Sequence, residues 1–206
     1  ESGATETVLE FPEDHLMRTN DGRVHPSGAF WIGTMAKDGK GRPGAIYRFF
    51  EGNLSVLIEG IVTPNSICFT QDGTAAFYTD TPNRIIWKVP TDPATGEITG
   101  EREVHVGPSV DSQGHPDGSV LDGEGNLWNA RWGGSAIEVY DPDGNRINSY
   151  PLPVKQPTCP AFIGPELDQI VTTSARVDLE DPKREDGCVI KIHTPVKGVK
   201  EPIVKA

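Results

Sequence analysis

Short apolar runs recur along the whole chain, most of them with apolar and polar residues alternating, and turn-forming residues break them at regular intervals. Strict alternation places successive side chains on opposite faces of an extended strand, so each run predicts a β-strand. A first unit runs from Met17 through Phe30-Met35, Ala45-Phe49 and Leu54-Ile58, and a second through Ser66-Phe69, Ala75-Thr79, Arg84-Val89 and Glu103-Val106. A third comprises Gly118-Leu121, Leu127-Arg131, Ala136-Tyr140 and Arg146-Pro151, and a fourth Thr158-Phe162, Gln169-Thr173 and Cys188-Ile192. Asp92-Gly96, Asp141-Gly144 and Gly164-Pro165 supply turns, since Asp and Gly stabilise tight reversals by local bonding and left-handed backbone. Thr7-Phe11 alternates too and is expected to be an outer strand. No dozen-residue window carries the 3.6 period of a helix without a Gly or Pro interrupting it.

Three of these units open on the same phrase. Asn20, Asn65 and Asp117 each lie eight residues before a turn glycine, Gly28, Gly73 and Gly125, and an aromatic-rich second strand follows each time. Recurrence of one phrase at a fixed internal spacing is the mark of a repeat architecture. Four-stranded units repeated radially make a β-propeller, in which equivalent strand entrances converge on one end of the axis. The three head residues are therefore expected to face one another across a small space. The fold class is all-β, a single propeller domain over residues 1–206 with about four blades in this chain, the ring incomplete or completed by another segment or a second chain. Thr158 heads the fourth unit, which is expected to add wall rather than chemistry.

Composition narrows the partners. The 206 residues are 35% hydrophobic, enough for one sizeable core, and the formal net charge of -11 argues against nucleic acid or an anionic membrane, which the field would repel. No 18-residue apolar run offers a membrane span. Cys68, Cys159 and Cys188 have no metal-type spacing and cannot all pair, so buried thiols in a reducing, cytoplasmic compartment are expected; no signal segment is read at the start. A covalent Ser or Cys nucleophile is disfavoured, because there is no G-x-S-x-G elbow and Cys159 precedes Pro160 in a strand expected to be buried.

Read one at a time, Asn20, Asn65 and Asp117 are turn formers; their shared spacing raises them to site candidates. Arg18, two residues before Asn20, points to the same side of an extended strand. Asp21, Asp72, Asp122, Asp141 and Asp143 are read as turn or surface residues. Asp80 is read as structural first and as a site neighbour second, and His25 and His115 as hydrogen-bonded structural histidines. Trp31, Trp87, Trp128 and Trp132 are expected to pack between blades, with Trp132 also placed to reach the rim.

The segments Arg18-Gly28, Trp31-Met35, Pro64-Ser66, Pro116-Gly118, Leu127-Ala130 and Thr158-Phe162 together resemble the gluconolactonase/regucalcin (senescence marker protein) family of six-bladed propellers, the order of the pieces matching from about residue 10 to residue 195. That resemblance implies a hydrolase of sugar lactones with one divalent metal, the ion among calcium, zinc, magnesium and manganese being left open. It implies metal ligation by Asn65 and Asp117 and contact of substrate oxygens by Arg18 and Asn20. The family's third ligand, a Glu, lies upstream of the Arg-x-Asn motif in a stretch not present here, so Glu1, Glu6 and Glu10 are left unassigned. Hydrolysis of a lactone needs a polarised carbonyl, an activated water and a stabilised oxyanion, which a hard cation on oxygen ligands and a carboxylate base can supply. Asp117 is the one carboxylate at a repeat head, and the sequence leaves it as ligand or as base. Arg18 offers a planar donor fork, and Asn20 a paired donor and acceptor. The alternative is a non-catalytic cation-binding regulatory protein of the same fold, or an inactive fragment.

Overall fold

In the computed structural model, which describes residues 5–12 and 14–205, the alternating runs form fifteen strands in four antiparallel sheets, each a simple meander. The first sheet holds β1 (Met17–Val24), β2 (Phe30–Ala36), β3 (Gly44–Phe50) and β4 (Asn53–Ile61). The second holds β5 (Pro64–Phe69), β6 (Ala75–Asp80), β7 (Ile85–Pro90) and β8 (Glu103–Val106). The third holds β9 (His115–Leu121), β10 (Leu127–Trp132), β11 (Ala136–Tyr140) and β12 (Arg146–Pro151). The fourth has three strands, β13 (Gln156–Ile163), β14 (Gln169–Ala175) and β15 (Ile190–Ile192). Among the described residues the one helical segment is a single 3-10 turn, Thr81–Asn83, between β6 and β7.

Blades two and three send alternate side chains to both neighbours, so their middle strands are buried on two faces and lose the polar alternation of a surface sheet. On β6, Ala76 and Tyr78 join Trp31, Ile46, Ile67 and Phe69 in the core between blades one and two, while Phe77 faces the other way onto Ile86, Leu121, Leu127 and Tyr140. Trp128, Val120, Ile137 and Ile170 fill the core between blades three and four. The largest anchors are also satisfied as donors: the Trp31 indole N–H bonds Gly96 O at 3.0 Å and that of Trp128 bonds Asp122 at 2.8 Å. Trp31 and Trp128 pack between blades as expected, and the half-buried Trp87 packs against the same cluster as Trp31; Trp132 is half-buried.

Three expectations need correction. Thr7-Phe11 forms no strand: it has no partner to ladder with, and only Phe11 docks, edge-on against Tyr47 at 5.4 Å. Cys188 is exposed and Cys159 half-buried, leaving Cys68 as the buried thiol; all three are free. Asp122 closes a hairpin turn yet is buried, because its carboxylate accepts from the Trp128 indole, the Asn126 side chain and the backbone N–H groups of Glu124 and Asn126. Of the acidic residues considered at the start of the chain, Glu1 lies outside the described residues, and Glu6 and Glu10 are exposed.

Candidate functional site

The innermost strands β1, β5, β9 and β13 share one irregularity. In each, the ladder to the second strand slips by one residue, between Thr19 and Gly22, Asn65 and Cys68, Pro116 and Ser119, and Pro157 and Pro160. A bulge of this kind re-aims side chains and leaves backbone groups without ladder partners. Asn20 and Asp117 sit inside their bulges, while Asn65 sits immediately before its own. The equal offset to the turn glycine is thus not equal register, because β5 is one residue shorter between bulge and turn: Cys68 leads to the turn opener Thr70, where Gly22 leads to His25 and Ser119 to Asp122. Ser66 takes the position corresponding to Asn20 and Asp117, with a left-handed backbone at φ 58°.

Arg18, Asn20 and Asn65 nevertheless meet, and Asp117 is joined to them through backbone carbonyls rather than through its carboxylate. The exposed guanidinium of Arg18 donates to Asn20 Oδ1 at 2.9 Å; Asn20 Nδ2 donates to Asn65 Oδ1 at 3.1 Å and to Pro64 O at 2.9 Å. Asn65 Nδ2 donates to Thr81 Oγ1 at 2.9 Å, and that hydroxyl donates to Pro116 O, also at 2.9 Å. The result is a one-directional donor chain running from a group that can only donate to a carbonyl that can only accept. It crosses from blade one through blade two to the residue before Asp117. Asp117 is fixed through its own carbonyl, which accepts from Ser66 Oγ at 2.6 Å and from the fully buried Asn129 at 3.1 Å. Gly118, next along, lies against β13: a Cβ there would stand 2.6 Å from Cys159 Sγ and 2.8 Å from Thr158 O.

Asp21, read from the sequence as a turn or surface residue, belongs to this site. Its carboxylate accepts from Ile67 N–H at 2.8 Å across the blade boundary and from Gly22 N–H at 2.9 Å within its own bulge. Burial raises its pKa against the pull of those amides. Burial, and then the negative charge of Asp21, push the Asp117 carboxyl up to about 8. An enclosed carboxylate whose proton affinity is raised by a second one marks a place where positive charge is favoured. Thr81, Ser66 and Asn129 were also beyond the sequence reading; each is an ordinary polar residue whose partner lies on another strand or blade. Asp80 is buried and structural, accepting from Thr63 N–H and Asn83, beside Thr81 but without a bond to the chain.

The histidines are structural, as expected: His25 is buried between Ser27 and Gly73 O, and His115 Nδ1 lies 3.3 Å from Thr81 O. At the fourth bulge Thr158 and Thr173 pair hydroxyl to hydroxyl at 2.5 Å, consistent with a wall. A cavity of about 910 Å³ opens near the hairpin turns at Thr70-Asp72 and Asp122-Gly125 and beneath the C-terminal segment 199–203; Arg23 lines it, and none of Arg18, Asn20, Asn65 or Asp117 does. Arg23 bonds Ile67 O at 3.1 Å and Ser119 O at 2.9 Å and pairs with Glu201, so it braces three inner strands on that side. No helix among the described residues is long and apolar enough to cross a membrane.

The fold and these motifs have known counterparts. An L-arabinolactonase of Azospirillum brasilense is 36% identical over 185 residues, 87% of this chain and 60% of that protein. A Rhizobium meliloti relative is 42% identical over 189 residues, 90% of this chain and 64% of that protein, so the chain spans less than two thirds of the length of these curated relatives. Among solved structures, the calcium-binding protein regucalcin of Agrobacterium tumefaciens superposes with a TM-score of 0.95 at 42% identity, covering 100% of this chain and 71% of the other. A luciferin-regenerating enzyme superposes with a TM-score of 0.90 at 27% identity, covering 99% and 71%. The model of the SMP-30/Gluconolactonase/LRE-like region matches residues 1–176, and with the propeller blades and the bulged Arg-Thr-Asn-Asp-Gly and Pro-Asp-Gly strands in place, the chain belongs to that family.

Proposed function

We propose that the protein hydrolyses sugar lactones, with Asn65 and Asp117 holding one divalent cation and Arg18 meeting the substrate's oxygens. The observation that carries this is the donor chain from Arg18 to Pro116, which leads from an exposed cationic fork to the strand of a carboxylate pushed up to about 8. The lactonase relative and the calcium-binding structural neighbour point the same way.

The residues fit a hard cation in kind. Asn65 has its Nδ2 committed to Thr81, so its oxygen is the atom turned toward Asn20, and Asp117 is an enclosed carboxylate whose negative charge is opposed by that of Asp21. Amide and carboxylate oxygens suit calcium, magnesium or manganese, and zinc belongs in the same titration. Bound there, the ion would supply Lewis acidity toward the lactone carbonyl and lower the pKa of water beside it.

The chain's own residues do the rest. Arg18, exposed and tied down through Nη1, presents its fork to hydroxyl and carbonyl oxygens. Asn20 has both ends of its amide engaged, so it orients Arg18 and Asn65 as well as bordering the substrate. Asp117 takes the proton from the attacking water as the new C–O bond forms and the ring ester bond breaks, the proton then leaving with the ring oxygen as an alcohol. Asp117 must be ionised to do so, which positive charge beside it favours.

Base-titrated acid release from arabinono- and gluconolactone, with added cation and with chelator, tests the reading. Cation-dependent turnover lost in Asp117→Ala supports it, and an unchanged rate in that variant dismisses it. The second reading, a cation-binding protein without catalysis, is favoured by the calcium-binding description of the Agrobacterium neighbour. Cation uptake with no turnover on either lactone would select it.

A further inference from the structure

We infer that Thr81 is a positioning residue for Asn65, setting which end of its amide faces Asn20 and tying it to the strand that carries Asp117. The inference rests on the cation reading only for the role of Asn65; the contact itself stands on geometry.

A threonine hydroxyl has one proton to give. Thr81 gives it to Pro116 O at 2.9 Å, a carbonyl at the edge of the β9 bulge that can only accept, so toward Asn65 the same oxygen can only accept. Asn65 must therefore present Nδ2 at 2.9 Å and turn Oδ1 to Asn20. The far end of the chain agrees, because Arg18 has no acceptor and forces Asn20 to present Oδ1 to it and Nδ2 to Asn65. Amide polarity is thus determined twice over, by a guanidinium on blade one and a hydroxyl on the β6–β7 connection.

Thr81 is itself held in place. It opens the 3-10 turn with Pro82 behind it, its N–H bonds Thr63 O at 3.0 Å, and its carbonyl accepts from Arg84 N–H at 3.2 Å and faces His115 Nδ1 at 3.3 Å. These contacts span Thr63, just before β5, and His115 at the start of β9. Thr81 thus holds the entrances of the strands bearing Asn65 and Asp117 together.

Thr81→Val keeps the shape and removes the hydroxyl; Thr81→Ser keeps the hydroxyl. Calorimetric titration of the purified protein with manganese and with calcium should show Thr81→Val binding about 10-fold more weakly or worse, in the range of lost outer-shell partners, and Thr81→Ser within about threefold of the parent. Urea unfolding in chelator supplies the second arm. The Thr81→Val loss of midpoint should be smaller in an Asn65→Ala background, since the Asn65 contact is then already gone and only the bond to Pro116 O is left to lose. Parent-like cation binding by Thr81→Val, equal weakening by Thr81→Ser, or additive midpoints in the cycle would each overturn the inference. A parent protein that takes up neither ion would sink the cation reading alone, and the unfolding cycle would still decide for or against Thr81.

Discussion

Gly118 is where the packing of blades and the placement of Asp117 meet, and substituting it should reveal both. In Gly118→Ala the added Cβ would lie 2.6 Å from Cys159 Sγ, 2.8 Å from Cys159 Cβ and 2.8 Å from Thr158 O. Only the sulfur could move by side-chain rotation; Cys159 Cβ and Thr158 O are fixed by the backbone of β13, so relief requires β9 and β13 to part. Overpacking of this kind costs about 1–3 kcal/mol. For a chain of this size each kcal/mol lowers the melting temperature by about 2–4 °C, which puts the expected shift at about 4–8 °C for the middle of that range. The parting strand carries Asp117, so lactone turnover should fall further than stability does. Cys159→Ala in the same background removes only the sulfur contact and should restore a minor part of the loss. Differential scanning calorimetry with parallel lactone assays reads all three proteins. A Gly118→Ala protein that melts with the parent, or full rescue by Cys159→Ala, would refute the close approach of the two strands.

Three further outcomes are expected. Asp117→Asn should cut turnover by about 100-fold or more while raising the cation-free melting temperature at pH 8.5, because it removes a carboxylate whose ionisation the fold opposes. With the folded pKa of Asp117 raised from 3.8 to about 8, that stability difference should fade as the pH is lowered toward 4, and a pH-independent difference would contradict it. Burial lowers the pKa of His25 from 6.5, so the folded state binds fewer protons than the unfolded one; stability should drop by up to about 1.4 kcal/mol per unit as pH falls below 6.5. His105 is shifted in the same direction, so the informative quantity is the slope lost in His25→Gln, and an unaltered slope would count against this account. Asp122→Ala leaves the Trp128 indole and the Asn126 amide without their acceptor in a buried turn and should cost about 3 kcal/mol or more in urea titration, whereas a loss under about 1 kcal/mol would mean that water replaces the carboxylate.

The blades, the turns and the four head positions were legible in the sequence because each rests on local physics: period-two alternation, Gly and Asp in reversals, and recurrence of one phrase. The chemistry inside the site was only half legible. Asn-Asp-Gly at residues 20–22 reads as a turn because Asp favours local bonding, yet Asp21 spends its Oδ2 on Ile67 N–H, 46 residues away. Asn129, in a strand of Leu, Trp and Ala, looks like a polar interruption until Ser66, 63 residues earlier, arrives beside it. Thr81 reads as a turn residue for the good reason that it is one. The register of Asn65 was hidden by the shorter stretch between bulge and turn in β5, since counting back from Gly73 merges that stretch and the bulge into a single offset. What escaped is what sheet docking decides, and no local pattern encodes it.

The repeated bulge explains why the docking of blades and the making of the site are one event. A strand that slips by one residue must find partners for the groups it frees, or bear their desolvation. In β9 the bulged carbonyl is Asp117 O, taken by Ser66 on blade two and by Asn129 on the adjoining strand, and Thr81 of blade two reaches Pro116 O at the bulge's edge. In β1 the corresponding place is taken by Asn20 and Asp21, which reach forward to Asn65, Pro64 O and Ile67 N–H on blade two. The bonds that position Asn20, Asn65 and Asp117 are therefore the same bonds that satisfy the bulges, and a blade cannot be loosened without turning the site's amides. The fourth bulge closes this logic by contrast: its freed positions carry Thr158 and Cys159, the hydroxyl is spent on Thr173 of its own sheet, and Gly118, next to Asp117, finds a packing surface there without a further charge.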